Sequence, residues 1–328
     1  MRAIVIPEVG GPEVLSLREV PEPRPGPRQV SIRVAYASVN YIDVMARQRA
    51  YRVKQFPYVP GEEVAGYIHE LGEEVEGLHI GQRVSAFVDG GAYAEFAVAD
   101  ANVTIPLDNE HGQLDLATAA AFPVAATTAY DLLVHVAHLR EGETVLIHAA
   151  SGGVGSIAGQ LARALGAGRV LGTVGSEEKI AAARSFGYDQ VFLRAGFAEA
   201  ARNATAGRGV DVILDAAGEP TRSQSLSLLA PLGRIVVFGN ASGNPEVPIV
   251  PSSLLRDNRG ILGYSFNGLR ETQPDHLVAS ARQAIAFLVA GKIRFDIART
   301  LPLEQAAQAH RLLESNNNIG KLLLQVAD

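Results

Sequence analysis

The spacing of apolar and polar residues changes period once along the chain. From Gln29 to Ala35 it alternates strictly, with Val30, Ile32 and Val34 on one side and Ser31 and Arg33 on the other, which predicts a half-buried strand. Similar short runs fill the first third: Ala3 to Ile6, Leu15 to Val20, Val64 to Leu71, Gln82 to Val88 and Ala92 to Val98. The stretch from Pro21 to Pro27 holds four prolines and fits only an extended connection. Strands this short and closely spaced predict a partly open barrel. A short helix is expected after Asn40, through Arg47.

From about residue 122 apolar runs alternate with helical spacing. Expected strands are Thr144 to Ala149, Arg169 to Val174, Gln190 to Phe192, Val210 to Asp215, Arg234 to Phe238 and Gly260 to Tyr264, with helices such as Lys179 to Phe186 and Arg222 to Ala230 between them. Six strands with helical crossovers predict a doubly wound parallel sheet. The fold class is therefore α/β: a Rossmann cofactor domain plus a β-rich, partly open barrel domain. The most apolar long stretch, Ala117 to Ala137, carries Pro123, Asp131 and His135, so it reads as a buried helix rather than a membrane span. Helices over Leu277 to Leu288 and Leu303 to Glu314 precede a final strand after Lys321.

The chemistry begins where the strand at Thr144 turns into a helix, through Ala150-Ser151-Gly152-Gly153-Val154-Gly155. Ala149 stands where the dinucleotide fingerprint has its first glycine, leaving A-x-x-G-x-x-G. Glycines here let the backbone turn sharply and approach a pyrophosphate, which the helix N-terminus attracts. Ser151, Gly152, Gly153, Val154 and Gly155 are the candidate phosphate residues. A reader of NAD usually places Asp or Glu after the second strand; this chain has Gly175-Ser176-Glu177-Glu178-Lys179. Ser176 and Lys179 suit a 2′-phosphate, which favours NADPH. The alternative is that Ser176 caps the next helix and Lys179 is merely solvated. Turns after later strands add Ala217, Phe238, Gly239 and Tyr264 as candidates facing the cofactor, each of which could equally be a simple turn.

Length suggests two domains for the 328 residues. The net charge of −6 without a dense basic run does not indicate a nucleic-acid partner. Cysteine is absent, which removes disulfides and thiolate metal ligands and fits a reducing compartment. The apolar run at the N-terminus is too short for a signal peptide, so a cytoplasmic, non-membrane protein is expected.

Ser38-Val39-Asn40-Tyr41-Ile42-Asp43, Pro60-Gly61-Glu62-Glu63-Val64-Ala65-Gly66, Ala149 to Gly155, Thr173 to Ser176, Phe238-Gly239-Asn240 and the terminal Gly320-Lys321 before an apolar strand together resemble the medium-chain dehydrogenase/reductase superfamily. Over essentially the full length the chain looks like the zinc-independent quinone oxidoreductase branch. The resemblance implies a catalytic domain from residues 1–122 and 296–328, a cofactor domain from 123–295, an active cleft between them, and a homo-oligomer, a homodimer or a tetramer, pairing near Gly260 to Phe266. It puts Asn40 near the nicotinamide and substrate, with Asp43 orienting it or starting the next helix, and it suggests Thr128 and Lys321 as cofactor neighbours. Arg194 replaces a tyrosine that helps several relatives bind the 2′-phosphate; it either strengthens that recognition or points to solvent. Tyr51 and Tyr130 are candidate neighbours of substrate or nicotinamide.

Zinc-dependent relatives carry Cys and His where this chain has Asn40 and Glu62. His135 and His138 are spaced to share a helix face but lack a third ligand, so no metal is expected. The nicotinamide then carries the reaction and the protein positions it. The expected activity is NADPH-dependent hydride transfer to a small quinone or α,β-unsaturated carbonyl (an enone or enal), with Asn40 or Tyr51 stabilising charge on oxygen. The alternatives are a non-catalytic NADPH-binding structural or sensory protein and an alcohol dehydrogenase-like enzyme.

Overall fold

The computed structural model describes residues 1–107 and 114–327. The chain divides into two compact units: Met1–Ala125 with Glu271–Ile285 and Phe295–Asp328, and Ala126–Arg270 with Ala286–Arg294. Residues Glu271–Ile285, expected in the cofactor domain, thus group with the β-rich unit.

In the β-rich unit, β1 (Arg2–Val5) and β2 (Ser16–Glu19) form an antiparallel pair. They are followed by β3 (Gln29–Val39), β4 (Glu63–Leu71), β5 (Arg83–Phe87), β6 (Phe96–Asp100) and β7 (Thr104–Pro106). The strand expected from Ala92 lies four residues later, because Ala94 instead bridges to Ala3. Val30, Ile32 and Val34 are fully buried, as the alternation requires, but Ser31 is buried too. β3 has neighbours on both edges: β4 on one, β6 along Gln29–Arg33 and the terminal strand along Tyr36–Val39 on the other.

The second unit holds β8 (Thr144–Ile147), β9 (Arg169–Val174), β10 (Gln190–Leu193), β11 (Val210–Asp215), β12 (Leu229–Val237) and β13 (Gly260–Gly263). All pair in parallel, in the order β10-β9-β8-β11-β12-β13, the doubly wound arrangement with its switch point beside β8. Leu146, Leu171, Ile213 and Ile235 pack under the helix Phe197–Ala204, each burial contributing roughly 1.5–3 kcal/mol. The helix expected from Arg222 is shorter, Thr221–Leu226, since β12 already starts at Leu229.

The chain returns to the β-rich unit with β14 (Ile297–Pro302) and β15 (Lys321–Gln325), completing a seven-stranded mixed sheet that, among the described residues, does not close. The apolar stretch expected as one helix is broken into Leu116–Ala121, Pro123–Tyr130 and a wider π turn over Asp131–Val136, because Pro123 has no N–H to continue the ladder. His138 lies beyond that turn at φ 50°, so it does not share a helix face with His135.

Candidate active site

In the β-rich unit the side chains converge where β3 ends and a helix begins. Asn40 is the N-cap of the helix Tyr41–Arg49, and its backbone N–H donates to Asp43 Oδ2 at 2.8 Å. The Asn40 amide closes a ring with two buried charges. Its Nδ2 donates to Glu63 Oε1 at 2.9 Å, its Oδ1 accepts from Lys321 Nζ at 2.6 Å, and Lys321 Nζ also donates to Glu63 Oε1 at 2.8 Å. Glu63 begins β4 and Lys321 begins β15, strands that flank β3, so the sheet itself brings the three together. The other Glu63 oxygen accepts from the Val124 N–H at 2.7 Å.

Behind this ring Asp43 Oδ1 accepts from Gly61 N–H at 3.1 Å and Oδ2 from the Tyr93 hydroxyl at 3.2 Å. Burial, with Glu62's charge next, pushes the Asp43 carboxyl up to about 7, against the opposing hydrogen bonds from Asn40 and Tyr93. Tyr93 reaches His310 Nε2 at 3.3 Å, and burial with the Arg47 charge holds that imidazole down at about 3. Tyr51 is not among these groups: it sits past the other end of the helix, 44% exposed.

In the parallel-sheet unit the fingerprint turn is built as its glycines suggest. Ala149 takes the left-handed conformation, φ 54°, at a cost of roughly 1 kcal/mol for a residue with a Cβ. Its carbonyl accepts from Gly152 N–H at 2.9 Å. A Cβ at Gly155 would lie 2.2 Å from that carbonyl oxygen, so only glycine lets the helix Gly153–Ala164 start this close to the strand. The buried Tyr188 hydroxyl donates to the Gly155 carbonyl at 2.6 Å. Ser151 is buried at the turn.

Ser176 and Lys179 follow β9, and Arg194 follows β10, its N–H donating to Val174 O at 2.8 Å. Lys179 is buried, and burial followed by the Arg194 charge lowers its pKa. Lys179, in the helix after β9, and Arg194, after the neighbouring β10, are thus close enough for one charge to act on the other. The Ser176 hydroxyl bonds to the Glu178 carboxylate, lowering its pKa, but the helix is capped at Glu177 and Ser176 does not cap it, contrary to that alternative.

The turns after β11 and β12 are tied by side chains. Asp215 Oδ1 accepts from the N–H groups of Ala217 at 2.8 Å and Gly218 at 3.2 Å; its Oδ2 accepts from Arg222 Nε at 2.7 Å. Arg222 Nη2 donates to the Gly239 carbonyl at 2.8 Å, and Nη1 pairs with Glu246. Ala217 N–H is thus committed within the protein, and Phe238 N–H donates to Asp215 O. Tyr264 donates to Asp131 Oδ2 at 3.1 Å and also bonds to Thr128. Burial, then the Asp131 charge, raises its pKa. Beneath the fingerprint turn, His148 Nδ1 lies 2.8 Å from Thr173 Oγ1 and Nε2 lies 2.8 Å from Ser225 Oγ. Ser225 donates to Thr221 O, so Nε2 carries the proton. Burial, then Arg194, keeps this imidazole neutral down to about pH 3.

Glu63, Tyr93, His310, His148 and the Asp215–Arg222 pair are absent from the sequence expectations. The available signal was a charged or polar residue inside an apolar run, as with Glu63 before Val64-Ala65 and His148 after Leu146-Ile147.

Two family models match the chain: "Alcohol dehydrogenase GroES-like domain" over residues 26–109 and "Zinc-binding dehydrogenase" over 153–282. The chain is 37% identical to the quinone oxidoreductase of Rattus norvegicus, over 99% of this chain and 97% of that protein. Among solved structures, the Escherichia coli quinone oxidoreductase complexed with NADPH superposes with a TM-score of 0.91 at 30% identity, covering 99% of this chain and 100% of that one. A mycobacterial protein complexed with NADPH gives 0.92 at 31% identity, with the same coverage.

Proposed function

The chain belongs to the quinone oxidoreductase branch of the medium-chain dehydrogenase/reductase superfamily, and from that premise we propose that it is an NADPH-dependent reductase of quinones or α,β-unsaturated carbonyls that works without a metal. The observation that carries the reading is the placement of Ser176 and Lys179 just after β9 and of Arg194 just after the neighbouring β10, with the Arg194 N–H donating to Val174 O at the end of β9. Paired cations with a hydroxyl suit a 2′-phosphate, whereas an acidic residue would suit a free ribose hydroxyl. The close turn at Gly155 fits the pyrophosphate of the same cofactor.

The bound cofactor supplies the hydride. Addition of hydride to a conjugated acceptor leaves negative charge on its oxygen. Asn40 is suited to donate there, since its amide has one Nδ2 proton beyond the bond to Glu63. Lys179 and Arg194 would hold the 2′-phosphate, and the N–H groups of Gly153, Val154 and Gly155 would serve the pyrophosphate, since the Ser156 N–H is already given to Gly152 O. Water can protonate the product.

Zinc, which one family name implies, does not fit at Asn40. The chain has no cysteine, and the Lys321 ammonium lies 2.6 Å from Asn40 Oδ1 and 2.8 Å from Glu63 Oε1. A cation there would have to displace that ammonium, and the donors are not those zinc prefers.

The test is oxidation of NADPH and of NADH with a quinone and with a small enone or enal. NADPH-dependent turnover with at least one acceptor is expected, and Asn40→Ala should lower kcat by about 10²- to 10³-fold. Saturable NADPH binding without turnover on any acceptor would replace this reading with a non-catalytic binding protein.

A further inference from the structure

The ring around Asn40 is chemically one-directional. An ammonium has donors only and a carboxylate has acceptors only. With Lys321 Nζ 2.6 Å from Oδ1 and Glu63 Oε1 2.9 Å from Nδ2, the Asn40 amide has a single orientation; turned over, it would set N–H against ammonium and carbonyl against carboxylate. Both charges are buried, Lys321 at 4% exposure and Glu63 at none, so solvent cannot relieve that mismatch. Glu63 is in turn fixed by the Val124 N–H on its other oxygen. Asn40 itself is half-buried.

We propose that Lys321 and Glu63 are positioning residues for the reduction: they lock the Asn40 amide so that its second Nδ2 proton is always the group presented to the acceptor oxygen, and Lys321 does this rather than contact the cofactor. The lysine also polarises the amide. A donor to Oδ1 withdraws charge and strengthens the remaining N–H as a donor, the cooperative effect of chained hydrogen bonds. No bond to Lys321 is made or broken in the reaction. The proposal rests on the reductase reading above.

Lys321→Met alone leaves Glu63 buried without its counter-ion, which is strongly destabilising, so the informative protein is the doubly neutral Lys321→Met/Glu63→Gln. It removes both charges and frees the amide to turn. The expected result is a folded protein with unchanged NADPH affinity, and a kcat lower by on the order of 10- to 100-fold, the scale of a displaced catalytic group. Introduced into Asn40→Ala, the same pair of changes should lower kcat no further, because the lock then has nothing to hold. Unchanged kcat in the doubly neutral protein would overturn the proposal. So would a loss of NADPH affinity matching the loss of rate, which would make Lys321 a cofactor ligand, or full additivity with Asn40→Ala, which would make the pair act independently.

A readout free of turnover separates this from failure of the reductase reading. The Nδ2 protons of Asn40 should exchange slowly with solvent and have shifts set by one amide orientation in the wild type, and should exchange faster, with averaged shifts, in the doubly neutral protein. If no acceptor is reduced while the resonances behave this way, the lock stands and the reaction assigned to it falls. If the resonances are alike in both proteins, the lock falls whatever the activity.

Discussion

Each unit buries an ion pair to the same depth, Lys321–Glu63 in the β-rich unit and Arg222–Asp215 in the parallel-sheet unit, with the cation 4% exposed and the carboxylate not at all. Their surroundings differ. Arg222 and Asp215 spend their other bonds on the main chain of Ala217, Gly218 and Gly239 and on Glu246, so that pair is a clamp on two turns. Lys321 and Glu63 spend theirs on the Val124 N–H and on the amide of Asn40, which keeps a donor to offer. A buried pair closed on backbone holds shape; a buried pair closed on a side chain with an open valence can serve chemistry.

The largest effect that would break this contrast comes from removing the cation on the structural side. Arg222→Met leaves Asp215 uncompensated in the interior and should destabilise the protein by about 3–5 kcal/mol, read by chemical denaturation. Under conditions where the variant is still folded, its kcat should stay near that of the wild type. A collapse of kcat in the folded variant would mean that the clamp, too, reaches the reacting groups.

Next in size is Lys179→Ala. It removes a charge-assisted contact worth about 1.5–3 kcal/mol, or roughly 10- to 150-fold in NADPH affinity, and should hardly change NADH binding. Equal losses for the two cofactors would show that Lys179 supports the fold of the parallel-sheet unit without reading the phosphate.

The buried titrating groups give a third contrast. His148, in the parallel-sheet unit, has its pKa depressed to about 3 from 6.5. Between these values the unfolded chain binds a proton that the folded one refuses, so stability falls as pH drops, by about 2 kcal/mol at pH 5. His310 acts in the same direction in the β-rich unit. Asp43, raised from 3.8 to about 7, acts in the opposite one: the folded form holds the proton longer, so stability is lost as pH rises through that window. Hydrogen-exchange protection, corrected for intrinsic rates, should therefore rise from pH 4 to 6.5 in the parallel-sheet unit and change less in the β-rich unit. Asp43→Asn should make the two profiles alike. Parallel profiles in the wild type would refute the opposition.

What could be read from the sequence follows the same division. The parallel-sheet unit was legible because its function is local. The turn from Ala149 to Gly155 is contiguous, and the strands at Thr144, Arg169 and Val210 are apolar runs that satisfy their own pattern. Asn40 and Lys321 were reachable only through family resemblance, which includes Glu63 in a motif without giving it a role. Nothing near residue 63 signals that a carboxylate there will meet residue 321, since that encounter depends on β4 and β15 flanking β3. The displaced start of β6 and the helix broken at Pro123 have a related cause: in each, a tertiary partner or a missing donor overrode apolar spacing.

The smallest expected effect concerns Tyr51, which the sequence offered beside Asn40 as a donor to the substrate. The two residues flank the nine-residue helix Tyr41–Arg49, which at 1.5 Å per residue separates them by roughly 14 Å. Tyr51 is 44% exposed, and the Asn40 amide bonds to Glu63 and Lys321. Tyr51→Phe should therefore change kcat by less than about twofold and stability by no more than about 0.5 kcal/mol, measured by steady-state NADPH oxidation and thermal unfolding. A tenfold fall in kcat with stability intact would place a second donor at the reacting oxygen, and Asn40 would then share the stabilisation proposed for the locked ring.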